Sequence, residues 1–229
     1  MDLARRALVP LMLLFVFIGW GYCQDSQAGG EIAIVGYGMD NGTAGPYDYH
    51  YNTVREFIGI MQKSGQNIRH SVFMGENASL QDLFAKIGEL KNPNGTLILF
   101  ISGHGNPGGI ENQKYSQIAS RIRESYQGKV FIYSSFCYSY GLAKEADGIS
   151  STNGYKSVSS WGDTSFPIAL FNVLKEPARY DQNKDRILDP FEVFKGVEGQ
   201  MIEWNIKYPT RNLGTPALNS TVATELYKY

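Results

Sequence analysis

The chain has 229 residues, 43% of them hydrophobic and 19% charged, and its 21 basic and 22 acidic side chains leave a net charge of -1. That balance lacks the electropositive footprint of a nucleic-acid binder, and the apolar fraction is too high for a disordered chain. Two cysteines and three histidines exclude a disulfide scaffold and a cysteine-rich zinc cluster, and the length suits one domain with a proper core.

Arg5 and Arg6 precede an uncharged, almost wholly apolar run from Ala7 to Trp20. Gly21-Tyr22-Cys23 then offers small residues at the positions a signal peptidase inspects. Residues 1–23 therefore read as an export signal, cleaved before Gln24. The alternative is a retained signal anchor, because the uncharged run to Gln24 is about as long as the shortest membrane-spanning helices. On either reading residues 24–229 lie outside the cytoplasm, secreted in the first case and membrane-attached in the second. Asn-x-Ser/Thr sequons at Asn41, Asn77, Asn94 and Asn219 agree with export if the host glycosylates asparagine. With Cys23 in the signal, Cys137 is the one thiol of the exported part. It is either a buried small hydrophobe or a reactive group.

Along the rest of the chain, Glu31–Gly36 reads as a buried strand and Tyr37–Tyr51 as a long polar, tyrosine-rich loop. Thr53–Lys63 has helical apolar spacing at Val54, Phe57, Ile58 and Met61, and Gly65 stops it. His70–Met74 is a second strand and Leu80–Leu90 a second helix. After the Asn92-Pro93-Asn94-Gly95 turn, Thr96–Ser102 (TLILFIS) is a continuous apolar run suited to the centre of a parallel sheet. A glycine-rich loop, residues 103–109, follows it. Gln117–Tyr126 reads as a helix, Lys129–Ser135 (KVFIYSS) as another buried strand, Tyr138–Ala146 as a helix and Ile149–Thr152 as a short strand. Phe166–Lys175 and Phe191–Asn205 read as helices, and Lys207–Tyr229 as an irregular tail. Strands alternating with helices imply layers of helix on a mainly parallel sheet.

Ligands of such sheets bind at the carboxyl ends of the strands. Two of the strongest strands end in reactive residues: TLILFIS in Gly103-His104-Gly105, and KVFIYSS in Phe136-Cys137. If the strands are neighbours, His104 and Cys137 meet. An imidazole can help generate the thiolate nucleophile and protonate a leaving amine. His50, in the polar loop, could line the same cleft. His70, opening a strand, is better suited to structure.

These stretches, LILFISGHG and VFIYSSFCYSYG, resemble the caspase–legumain group of cysteine peptidases. So do GEIAIVGYG, ASLQDLFAKIGELKNPNGT and SWGDTSFPIALFNVLKE, the last in the manner of legumain-like microbial members. The resemblance spans nearly all of residues 24–229. It implies a caspase-like three-layer α/β/α sandwich with a mainly parallel central sheet, and an endopeptidase or transpeptidase acting on a peptide or protein substrate. It also implies His104 as catalytic histidine, Cys137 as nucleophile, and the N–H groups of Gly105 and Cys137 as oxyanion hole. Phe136, where the group carries a small residue, and Tyr138, where legumain carries an acid, depart from the pattern. Asn41 is the nearest match to an asparagine that legumain has after its first strand. The P1 side chain would be read around residues 38–48 and 150–160.

Asp181 to Glu192 matches the twelve-residue EF-hand loop. Asp181, Asn183, Asp185, Asp189 and Glu192 supply side-chain oxygens and Ile187 a backbone carbonyl, so a structural Ca2+ is expected. Arg186 stands where the loop ordinarily has glycine. The competing reading of this stretch is an acidic helix start. For the whole chain, the alternative to a peptidase is a non-catalytic, calcium-stabilised binding protein on the same scaffold, with Tyr47, Tyr49, Tyr51, Tyr138 and Tyr140 as its binding surface.

Overall fold

The computed structural model describes residues 30–39, 49–75, 78–154, 164–221 and 225–229. The export segment, the sequons at Asn41 and Asn77, and most of the two stretches expected to read P1 lie outside these residues. Among the described residues no helix is long and apolar enough to cross a membrane.

The apolar runs fold as strands β1 (Ile32–Gly38), β2 (Ile68–Met74), β3 (Thr96–Ser102) and β6 (Lys129–Ser135). The short β7 (Gly148–Ser150) and β9 (Ala217–Asn219) complete a six-stranded sheet in the order β2-β1-β3-β6-β7-β9. All its neighbours run parallel except β7 and β9. TLILFIS is central and all but its first residue are buried, because a middle strand of a parallel sheet is covered on both faces.

Side-chain alternation divides the core into two halves. Ile34, Ile98, Phe100, Phe131 and Tyr133 point to one face, where they meet α1 (Tyr49–Met61), α5 (Phe166–Lys175) and α7 (Pro190–Lys207). Val35, Leu97, Leu99, Ile101 and Ile132 point to the other, against α2 (Leu80–Glu89) and α3 (Tyr115–Ser125). Each fully buried large apolar side chain contributes on the order of 1.5–3 kcal/mol. The result is a three-layer α/β/α sandwich with a mainly parallel sheet, as the element pattern implied.

Several boundaries differ from the sequence reading. Tyr37 and Gly38 belong to β1, and Tyr49 to Tyr51 already belong to α1, so the polar loop is shorter at both ends. The glycine-rich loop continues into a hairpin, β4 (Gly109–Ile110) and β5 (Gln113–Lys114), with Glu111 and Asn112 at φ 47° and 63°. The helix expected at Tyr138–Ala146 is one turn, α4 (Tyr140–Ala143). A further turn, α6 (Pro177–Tyr180), precedes the acidic loop. The tail is not irregular throughout: β9 caps the sheet edge, and β10 (Tyr227–Lys228) pairs antiparallel with β8 (Ile187–Leu188). Two- and three-residue strands carry too little periodicity to be read locally; their partners define them.

Candidate active site

Strands β3 and β6 are hydrogen-bonded neighbours in register, with Ser102 opposite Ser135. His104 and Cys137 each lie two residues beyond that pair, so equal strand ends deliver both side chains to one place. Both line a cavity of about 380 Å³ together with Tyr49, His50, Gly103, Ser135, Phe136, Ser151, Ser165, Phe166, Pro167 and Leu213. That volume suits one or two side chains of a bound peptide. His104 is exposed and Cys137 half-buried.

Both glycines beside His104 answer to close approaches. A Cβ on Gly103 would sit 2.7 Å from Met39 Cε and nearer still to its Cβ. A Cβ on Gly105 would sit 2.6 Å from Phe136 Cδ2 and closer to the Cys137 carbonyl oxygen. The histidine loop thus lies directly against the cysteine loop. Tyr115 ties the two together, stacking on Phe136 at 6.2 Å and donating its hydroxyl to the Asn106 carbonyl at 2.8 Å. Phe136, the bulky residue where the caspase–legumain pattern has a small one, is 2% exposed and its ring is used in that stack.

Cys137 occupies the second position of a tight turn closed by Ser139 N–H on the Phe136 carbonyl at 3.3 Å. Tyr138, at the third position, has φ 63°. Glycine is the inexpensive residue at such a position, and a non-glycine side chain there costs roughly 1–2 kcal/mol. Backbone strain of this kind is concentrated at functional sites.

The second imidazole of the cavity is His50, the second residue of α1. Its ring centre lies 5.0 Å from that of His104, edge to face, and its Nδ1 is 3.0 Å from the buried Ser102 Oγ. Tyr49 packs on His50 at 5.4 Å and its hydroxyl is 2.8 Å from Ser165 Oγ. His70 is exposed on the edge strand β2, away from the cavity.

The backbone can be compared with solved structures. Caspase-1 from Spodoptera frugiperda superposes with a TM-score of 0.52 at 14% sequence identity, over 84% of this chain and 86% of that one. The fold is caspase-like. No family model and no curated protein matches the sequence, so the likeness lies in the backbone.

On this caspase-like scaffold the acidic loop sits between α6 and α7, on the face of the sheet that α5 and α7 cover. Lys184 and Arg186 both have positive φ, 62° and 67°, so the sharp bend an EF-hand loop makes at its glycine is made here by Arg186. Asp181 and Glu192 are buried, at 8% and 4% exposure. Asp181 accepts the N–H groups of Lys184 (2.6 Å) and Arg186 (2.9 Å) and the Tyr229 hydroxyl (2.8 Å). Glu192 accepts those of Gln182 (2.7 Å), Asn183 (3.3 Å) and Asp189 (3.2 Å). Asp189 is the N-cap of α7 and receives Glu192 N–H at 2.9 Å, a reciprocal capping box. Asn183 and Asp185 are exposed, and Ile187 opens β8. Among the described residues no three histidine, cysteine or acidic groups converge as a ready-made metal cage.

Sequence reasoning placed His104 and Cys137 but missed Tyr115, Leu213 and the buried hydroxyls of Ser139, Ser151 and Thr152. The Ser150-Ser151-Thr152 run at the end of the short strand β7 was the available signal. Of the two described sequons, Asn94 is exposed. Asn219 donates its side-chain amide to the carbonyls of Ala143 (2.7 Å) and Ala146 (3.1 Å), bonds a glycan there would have to disturb.

Proposed function

We propose that this chain is an exported cysteine peptidase, related in mechanism to the caspase–legumain group, with Cys137 as nucleophile and His104 as its acid–base partner. The observation that carries the reading is the in-register β3–β6 pair, which sets both residues two positions past Ser102 and Ser135 in one cavity. The Cys137 thiolate attacks the scissile carbonyl carbon. The developing oxyanion is held by the N–H groups of Gly105 and Cys137. The imidazolium of His104 protonates the leaving amine, and an acyl-enzyme remains. Water resolves it in hydrolysis and an amine in transpeptidation, both through the same intermediate.

The acidic loop is proposed to hold one structural Ca2+. Its twelve-residue spacing, the positive φ at Arg186 and two buried carboxylates support this. Asp181, Asn183, Asp185, Asp189, Glu192 and the Ile187 carbonyl would supply oxygens, and the ion would brace α7 against the sheet.

The test is labelling with peptidyl acyloxymethyl ketones varied at P1, with Cys137→Ala and His104→Ala as controls. Labelling of Cys137 that depends on His104 is expected. Labelling that persists unchanged without His104 refutes the dyad, and no labelling of the wild type favours the non-catalytic binding protein. Calcium is tested by thermal melting with and without chelator, and an indifferent midpoint removes the site.

A further inference from the structure

The peptide joining Phe136 to Cys137 is held by a file of buried hydroxyls. Ser151 Oγ donates to the Phe136 carbonyl at 3.0 Å, which uses its one proton. Ser139 Oγ, 2.9 Å from Ser151 Oγ, therefore donates to Ser151. Thr152 Oγ1, 3.3 Å from Ser139 Oγ, donates in turn to Ser139, and itself accepts Tyr140 N–H at 3.1 Å. All three hydroxyl residues are at most 2% exposed, so they take their partners mainly from one another, and the direction of each bond follows from the single proton each hydroxyl carries. Ser139 N–H, at 3.3 Å, is a second donor to the same carbonyl.

A trans peptide sets its C=O and N–H on opposite sides of one rigid plane, and the described residues contain no cis bond. Fixing the Phe136 oxygen on Ser151 and Ser139 therefore fixes the direction of the Cys137 N–H, away from Ser151. We propose that the Thr152–Ser139–Ser151 chain orients the Cys137 N–H as oxyanion donor. Ser151 and Ser139 are then positioning residues, acting through the peptide plane. The inference rests on the peptidase reading. It adds what aims the backbone donor and why the serine-rich end of β7 lies beside the cysteine turn.

The two reactions of Cys137 separate this role from a structural one. Alkylation by iodoacetamide displaces iodide at a saturated carbon and develops no oxyanion, whereas amide cleavage does. With the peptidyl coumarin amide that the wild type cleaves fastest in a positional library, Ser151→Ala is expected to lower kcat at least tenfold. The bound is the roughly 10²–10³-fold that deletion of an oxyanion donor costs. KM and the alkylation rate should stay within about twofold, a margin that excludes a tenfold effect on either. Ser139→Ala, which keeps the Ser151 bond, should give a smaller loss of the same kind, and Ser151→Thr should restore most of kcat. Ser139→Ala also carries the test if Ser151→Ala does not fold. An unchanged kcat overturns the inference, as does an equal loss of alkylation and cleavage or a rise in KM alone. A wild type that cleaves no amide overturns the peptidase reading and this inference with it, a failure visible before any variant is made.

Discussion

Gly105→Ala is the most direct probe of how the two loops meet. The added methyl would lie 2.6 Å from Phe136 Cδ2 and closer to the Cys137 carbonyl oxygen, with Tyr115 Oη at 3.1 Å. Comfortable carbon contacts begin near 3.5 Å, so something must retreat by about 0.9 Å (3.5 less 2.6). The Phe136 ring cannot swing away, being buried and stacked on Tyr115, and the carbonyl is backbone. The strain therefore falls on the separation of the His104 and Cys137 loops. Overpacking of this kind costs about 1–3 kcal/mol, which lowers the melting temperature by about 2–12 °C in a domain of this size. A displacement near 1 Å at reacting groups costs about 100-fold in rate. Calorimetry gives the first quantity and turnover of a peptidyl coumarin amide the second. Gly108→Ala in the same loop, whose Cβ would meet only Asn106 Oδ1 at 3.3 Å, should change neither much. A Gly105→Ala protein with the wild-type melting temperature and turnover would refute the proposed contact between the loops.

Other consequences are equally open to measurement. His104→Ala should reduce turnover by about 10²–10⁴-fold, the range for general acid–base groups, and His50→Ala by about tenfold; the reverse order would move the acid–base role to His50. Gly59→Ala and Gly88→Ala, at helical positions with no atom within 4 Å of the new methyl, should each stabilise by about 0.5–1 kcal/mol, and a lowered midpoint would contradict the open space. Burial alone would raise the Asp181 carboxyl, but the Tyr229 hydroxyl and the N–H groups of Arg186, Lys184 and Asp185 outweigh it and hold it below the ordinary value. Its contribution is therefore complete above the unfolded value of about 3.9 and is lost as pH falls through the lower folded value. Measured in the presence of chelator, so that loss of the proposed calcium ligand does not enter, Asp181→Asn should flatten the acid limb of stability below about pH 4, and a limb identical to wild type would exclude Asp181 as its cause. Tyr37, raised by burial and by its hydrogen bond to Glu111, should resist alkaline titration until the protein unfolds, checked by phenolate absorbance.

Much of the fold was legible because it is written in local periodicity. TLILFIS is apolar from Leu97 to Ile101 and KVFIYSS from Val130 to Tyr133, continuous runs that suit a strand covered on both faces, so β3 and β6 were placed to the residue. The helices at Leu80 and Phe166 start where they were read, with Ser79 closing a capping box on Asp82 and Pro167 in the first turn of α5. Glycines around His104 and the chemistry of one thiol marked two candidate residues, which the fold brings to one cavity. That His50 could line the cleft was legible; the strand register, the hairpin after His104, the contacts of His50 with His104 and Ser102 and the pairing of β8 with β10 were not. Each depends on a partner distant in the chain, and a two-residue strand has no period of its own. Sequence composition and spacing named the candidate groups. The tertiary structure decided their neighbours, because close packing and hydrogen-bond direction are properties of surfaces brought together only on folding: the glycine that admits the cysteine loop, the tyrosine beneath both loops, and the hydroxyls behind the Cys137 peptide.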